Sequence, residues 1–435
     1  MKSLGSVSGG GRGVMALSVL FIIMTGHTWA QFVGGADIGW LSQMEAQGYV
    51  FKDSAGNAAN CLDILRSKGI TALRFRVWVN PSGYYCSRKD VATMALRAHT
   101  AGFDVLIDFH CSDTWADPGH QAKPAAWAND SLPKLLSDLY DHVYGVLDTL
   151  KTLGVVPKWV QIGNETNDGM LWEDGRASTH PANFAAMIRS GYNAVKAVDS
   201  SIQVIVHLSD GHNDSMYRNI FDGLKNNGAQ WDIIGMSVYP YWANLPWATD
   251  DSLALVTMKD MISRYRTKVM VVETGYLYNQ PVTANQFLLD LIAKTKLAGG
   301  LGVFYWEPEC YNWQGYQLGA WDPSTEMPTA AMDAFIGRSA TLVKDEPIVP
   351  GYRLAVYPNP FNPGTTIEYD LPVEGRVEIV VFNELGQIAA RLVDSIEMAG
   401  HHSIAWGPKE SASGVYYCRM ISGSYVKTQK LVLLK

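Results

Sequence analysis

Between residue 31 and about residue 337, short, almost unbroken apolar runs alternate with longer stretches in which apolar positions recur at helical spacing. The runs are GGADIGWL (34–41), ALRFRVWV (72–79), DVLIDFH (104–110), WVQIGNE (159–165), QVIVHLS (203–209), IIGMSVYP (233–240), VMVVETGY (269–276) and GVFYWEPE (302–309). They lack the polar alternation of half-exposed strands, so they read as strands buried on both faces. Between them, LPKLLSDLYDHVYGVLDTLKTLG (132–154) and FAAMIRSGYNAVKAV (184–198) read as amphipathic helices. Strand then helix, eight times over, predicts an α/β fold, a (β/α)8 TIM barrel over residues 31–337.

The texture then changes. Residues 338–352, RSATLVKDEPIVPGY, hold two prolines and no periodicity, which predicts a linker. Residues 353–435 show about seven short β-patterned runs joined by Gly, Pro and Asn turns. They predict a small all-β, immunoglobulin-like sandwich. At the other end, Lys2 and Arg12 precede the apolar run Val14–Thr25, and Thr28-Trp29-Ala30 has the small residues of a cleavage site before Gln31. Residues 1–30 therefore read as a secretory signal peptide, too short in its apolar core for a membrane span of ~20 residues.

Composition narrows the function. The chain has 435 residues, 47% of them apolar, which excludes disorder. Its 35 basic and 42 acidic residues give a net charge of −7, and losing Lys2 and Arg12 takes it to −7 − 2 = −9. No basic tract occurs, so nucleic acid is excluded as a partner class. The 5 cysteines are too few for a disulfide scaffold. Cys61 and Cys86 form a candidate pair, Cys111 and Cys310 end non-adjacent strands, and Cys418 reads as a buried thiol.

In such a barrel the chemistry lies at the carboxyl ends of the strands. Polar and aromatic residues gather there: Asp37; Arg74, Arg76 and Trp78; Asp108 and His110, followed by Asp113, Trp115 and Asp117; Asn164 and Glu165; His207 and Ser209; Tyr239 and Trp242; Glu273; Trp306, Glu307 and Glu309. Carboxyls ending the fourth and seventh strands face each other across the mouth. A retaining glycosidase needs such a pair at ~5–5.5 Å, one protonating the leaving oxygen while the other attacks the anomeric carbon. Glu165 is the candidate acid/base and Glu273 the candidate nucleophile, with Arg76 and Tyr239 as donors that keep Glu273 ionised. Asn164 is placed to bind the sugar 2-hydroxyl. The tryptophans offer flat faces for sugar rings. The acids and histidines after the third strand lack the tight His/Cys spacing of a zinc site, so no metal or cofactor is expected.

FRVWVNP, DFHCSDTWADPGHQ, VQIGNETNDGMLW, SVYPYW, VVETGY and FYWEPE resemble, in order, the strand-end motifs of the family 53 endo-β-1,4-galactanases, which belong to clan A of the retaining glycosidases. The resemblance covers about residues 32–337. It implies Glu165 as acid/base, Glu273 as nucleophile and β-1,4-galactan as substrate, as in the type I arabinogalactan side chains of pectin. Cys111 stands where the family usually has tyrosine, and Thr166 where it has an aliphatic residue. The stretch from Tyr276 to Gln286 is short and acid-free, so the calcium of some bacterial relatives is not expected. The tail, with YPNPFNP, TTIEYDLP, VEIVVFNELGQ, GVYYCRM and KTQKLVLLK, resembles the C-terminal sorting domains of type IX secretion. That implies secretion machinery as a partner and a secreted or outer-membrane-surface location on a bacterium, for an enzyme expected to act as a monomer. The competing readings are another clan A endo-β-glycanase, acting on mannan, xylan or glucan, and a non-catalytic polysaccharide-binding barrel. The first is disfavoured by the DFHCSDTWADPG block and the second by the presence of both acids.

Overall fold

The structure is a computed structural model that describes residues 32–338 and 352–434, apart from 373–374, 398–399, 409–411 and 424. The expected signal peptide and most of the expected linker lie outside the described residues. The chain divides into two compact units, one on each side of residues 339–351.

The first unit is a closed barrel of eight strands in sequence order. They are β1 (Val33–Asp37), β2 (Ala72–Val77), β3 (Asp104–Phe109), β4 (Trp159–Ile162), β5 (Gln203–Leu208), β6 (Ile233–Val238), β7 (Lys268–Thr274) and β8 (Gly302–Trp306). Parallel pairing of β1 with β8 closes the ring. The helical periodicities at 132–154 and 184–198 become helices Leu132–Thr152 and Pro181–Val198. Helix Leu132–Thr152 buries Leu135, Leu139, Val143, Val146 and Leu150, one stripe at the spacing of an amphipathic helix.

The two-residue period of the strands sorts their side chains into two environments. Leu73, Phe75, Val105, Ile107, Val204 and Val206 face the helices. Val33, Ala72, Leu106, Trp159, Ile205, Ile233, Met270, Val272 and Phe304 form a separate apolar plug inside the ring. Gly35 makes room for it, since a Cβ there would lie 2.2 Å from the Phe304 ring. Further along the same strands come Asp37, Arg74, Arg76, Asp108, Gln161 and His207, all buried. The barrel is thus dry below and densely polar towards its mouth.

Strand β7 departs from strict alternation. Met236 pairs with Val271 but the next residue, Ser237, pairs with Glu273, so Val272 is an extra residue. Met270 and Val272 both point inward. Without the irregularity, residue 273 would face the helices. A β-bulge of this kind re-aims a side chain at an active site, and here it turns Glu273 into the mouth.

The second unit comprises two antiparallel sheets. One has strands Arg353–Tyr357, Thr365–Leu371 and Gly400–Trp406; the other has Ile388–Glu397, Gly375–Asn383, Gly414–Ser422 and Tyr425–Leu433. Ile367 and Tyr369 of the first sheet share an apolar core with Val377, Ile379, Cys418 and Leu431 of the second. Among the described residues, no helix is long and apolar enough to cross a membrane.

The Cys61–Cys86 expectation is corrected, because both are free and buried, as are Cys111, Cys310 and Cys418. Cys61 opens helix Cys61–Ser67 inside the core, with Glu45 and Glu309 among the nearby charges. Cys86 is tied to the helix after β2, its N–H donating to Asp90 at 2.8 Å.

Candidate active site

Glu165 follows β4 by three residues, in the turn Gly163-Asn164-Glu165. Gly163 has φ +78° and Glu165 has φ +45°. A left-handed conformation is costly for a residue with a side chain and persists only where its surroundings impose it. The Glu165 backbone is held by His207, whose Nδ1 lies 3.4 Å from its N–H, and by Thr166 N–H donating to the His207 carbonyl at 2.9 Å. The strand therefore ends earlier than the apolar run suggests, and the carboxyl turns over the mouth.

Glu273 reaches the same cleft from β7. The Arg74 guanidinium lies 2.8 Å from its Oε1, and the Tyr239 hydroxyl donates to Oε2 at 3.4 Å. Glu165 instead receives the Ser237 hydroxyl on Oε1 at 2.6 Å. Ser237 is also the cross-strand partner of Glu273, so one residue of β6 touches the first acid and pairs with the second.

The two acids differ electrostatically. Burial, and then the charge of Glu273, push the Glu165 carboxyl up to about 8. Burial also raises Glu273, but the Arg74 guanidinium opposes it and holds this acid at about 7. A proton shared by the pair therefore rests on Glu165, the member without an arginine. Carboxyls separated in this way can divide acid and nucleophile roles.

Arg74 is the organising cation of the mouth. Besides Glu273 it binds Asp37 at 2.6 Å and Asp108 at 2.9 Å, and it donates to Asn164 Oδ1 at 3.0 Å. The expectation that Arg76 serves Glu273 is corrected. Arg76 binds Glu307 and, at 3.4 Å, Asp37, and its guanidinium lies 4.4 Å from the Trp115 ring centroid. Arg74 and Arg76 share one face of β2, so alternation alone does not separate them. The rings of Trp115, Trp40 and Trp306 hold Arg76 on the side of β1 and β8.

The cleft consists of two adjoining recesses of about 550 and 390 Å³ that share Asp117, Glu165, Glu273, Trp306 and Tyr316. Tyr239 and Trp242 line the larger, and His110, Trp115 and Asn164 the smaller. His110 is fixed in orientation, because Nδ1 accepts the Ala116 N–H at 3.0 Å and Nε2 lies 3.0 Å from Asp108. Six other candidate ligands do not reach the cleft surface. Asp37, Arg76, His207 and Glu307 are at most 1% exposed and form the buried network beneath it. Asp113 caps the backbone N–H groups of Asn80 and Ala125, and Trp78 packs edge-on against Trp115. Conversely, Trp40, Asp210, His212, Ser237, Gln314 and Tyr316 line the cleft without having been singled out. Tyr316 and Gln314 come from the loop after β8, where no apolar run marks them. His212 lies beyond the end of β5, held by Asp250 at 2.9 Å. Among the described residues, no group of three or more His, Cys, Asp or Glu side chains is arranged to hold a metal ion.

Two carboxyls of unequal basicity in a tryptophan-walled cleft, at the mouth of a β/α barrel, suit the cutting of glycosidic bonds, and comparison with known proteins places the chain among the glycoside hydrolases. Residues 33–339 match the model of glycosyl hydrolase family 53, and the chain belongs to that family, with its clan A barrel. It is 33% identical over 328 residues to a probable arabinogalactan endo-β-1,4-galactanase A of Neosartorya fischeri, covering 68% of this chain and 90% of that protein. Among solved structures, the family 53 catalytic domain of Ignisphaera aggregans superposes with a TM-score of 0.64 at 30% identity, over 70% of this chain and 96% of that one. A structure from a study of two fungal β-1,4-galactanases gives 0.65 at 26% identity, over 70% and 98%. Residues 355–434 match the secretion system C-terminal sorting domain, which directs the protein by type IX secretion to the cell surface or beyond.

Proposed function

We propose that the protein is a retaining endo-β-1,4-galactanase acting on β-1,4-galactan, as in the arabinogalactan side chains of pectin. Glu273 attacks the anomeric carbon, and Glu165 protonates the departing oxygen. Water, deprotonated by Glu165, then releases the sugar from Glu273. The observation that carries this reading is the asymmetric pair in one cleft, with Arg74 on Glu273 and the Ser237 hydroxyl alone on Glu165. The recesses on either side of the pair suit a chain cut internally, and the Trp115, Trp242 and Trp306 faces suit stacked sugar rings. Asn164 is the candidate partner of the 2-hydroxyl. The galactan substrate is favoured by the galactanase named in Neosartorya fischeri and the fungal galactanases. Residues 31–337 would then be the catalytic domain and 353–435 the sorting domain, joined by 338–352 and preceded by a signal peptide over 1–30.

A reducing-sugar assay on galactan, mannan, xylan and β-glucan tests the substrate. We expect release from galactan at least about 100-fold faster than from the others. Release from mannan or xylan but not galactan would overturn the assignment.

A further inference from the structure

Ser237 takes no part in the bond changes of the double displacement, yet it makes the shortest polar contact of the acid/base. Its hydroxyl lies 2.6 Å from Glu165 Oε1 and 2.8 Å from His207 Nε2. Both residues are buried, Ser237 at 2% and His207 at 0% exposure. The direction of the chain follows from the far side of the imidazole. His207 Nδ1 faces the Glu165 backbone N–H at 3.4 Å and the Gln161 amide nitrogen at 3.0 Å. A backbone N–H can only donate, so Nδ1 is the bare nitrogen. The Asn164 Oδ1 that also lies 3.0 Å from Nδ1 accepts a hydrogen bond from Arg74 at 3.0 Å, so it does not need one from the imidazole. Burial, with the Arg74 charge nearby, holds the imidazole neutral, so its one proton is on Nε2 and is donated to Ser237 Oγ. The serine thus accepts from His207, and its own proton points to Glu165.

We infer that Ser237, aimed by His207, is a positioning residue for the acid/base: it occupies Oε1 of Glu165 and leaves Oε2 to carry the transferable proton. A carboxyl that accepts a fixed hydrogen bond on one oxygen is protonated on the other. The carboxyl rotamer is also pinned, so the proton is presented in one orientation through both half-reactions. The inference rests on the reading of Glu165 as acid/base.

The groups facing Glu165 are Glu273 from β7, Asp210 after β5, Arg74 from β2, His207 from β5, and the Tyr239 and Tyr217 phenols. Glu273 and Asp210 raise its pKa, while Arg74 and the Ser237 hydrogen bond lower it. Deleting the hydroxyl therefore moves Glu165 further upward, and the basic limb of kcat/KM, which requires protonated Glu165, moves with it.

The test is Ser237→Ala in the full chain, with kcat/KM followed against pH on galactan and on an aryl β-galactobioside whose leaving group needs no protonation. On galactan, kcat/KM is expected to fall about 10- to 100-fold, with the basic limb moving up by about one pH unit. On the aryl substrate it stays within about threefold. Ser237→Cys, a weaker donor of similar shape, should fall between. Equal losses on both substrates with an unmoved basic limb, in either variant, would show a merely structural serine and overturn the inference. Glu165→Ala on the same two substrates isolates the underlying reading. If its kcat/KM collapses on the aryl galactoside as far as on galactan, Glu165 is not the acid, whatever Ser237 does.

Discussion

Replacing Glu273 with alanine is expected to lower kcat on galactan by about 10⁴- to 10⁶-fold while leaving the folded protein able to bind the polysaccharide. In the proposed mechanism Glu273 forms the covalent intermediate, and it is the cleft acid held by both Arg74 and Tyr239. Asp37 and Asp108, the other acids around Arg74, are fully buried beneath the cleft and already bound to that guanidinium. Binding survives because the Trp115, Trp242 and Trp306 faces are untouched. The substitution leaves a small gap beside Tyr239 and Arg74, large enough for a small anion. Azide should therefore restore cleavage of an activated aryl β-galactoside and give the α-azide, the product of one inversion. Turnover rates on galactan, with a pull-down on insoluble galactan as the binding control, decide the matter. An unchanged rate would end the nucleophile assignment.

The second large effect is on folding. Arg74→Met is expected to cost about 3–5 kcal/mol of stability, as removal of one partner from a buried charge network does. The guanidinium is 1% exposed and lies between Asp37, Asp108 and Glu273. Losing it leaves three acids side by side without their shared cation, two of them fully buried, and at least one must take up a proton. Glu273 is the candidate, because Asp37 retains Arg76 and the Gly39 N–H, and Asp108 retains the Gln161 amide and His110. A protonated Glu273 cannot attack, so activity should fall with stability. Arg74→Lys keeps the charge but cannot reach all three acids, and should rescue only part of either loss. Denaturant unfolding monitored by tryptophan fluorescence measures the first effect; a midpoint equal to that of the parent protein would show that the network is dispensable.

Much of this architecture is legible in the sequence. Eight apolar runs separated by helical stretches become eight strands in order, because a strand buried on both faces has nowhere to place a polar residue until the chain emerges at the mouth. The polar residue that ends such a run is therefore conspicuous, and Glu165 and Glu273 stand out for that reason. Other features are hidden because they depend on register and layer. The choice between Arg74 and Arg76 turns on which seat a tryptophan ring fills. Glu273 points inward through one extra residue in β7, and period-two counting assigns it the opposite face. Glu165 depends on a left-handed backbone that no apolar pattern signals. The buried status of Asp37, His207 and Glu307 follows from packing in three dimensions, and Trp40, His212 and Tyr316 enter the cleft from loops.

The proposed double displacement passes through a covalent galactosyl link to one carboxylate. An activated 2-deoxy-2-fluoro-β-galactoside slows both steps but, with a good leaving group, lets the first outrun the second, so the intermediate accumulates. Incubating the full chain with this reagent and mapping the adduct by peptide mass spectrometry should give one fluorogalactosyl group per molecule, on Glu273. An adduct on a different carboxyl, or no adduct together with the α-anomer as the first product of galactan hydrolysis, would contradict it.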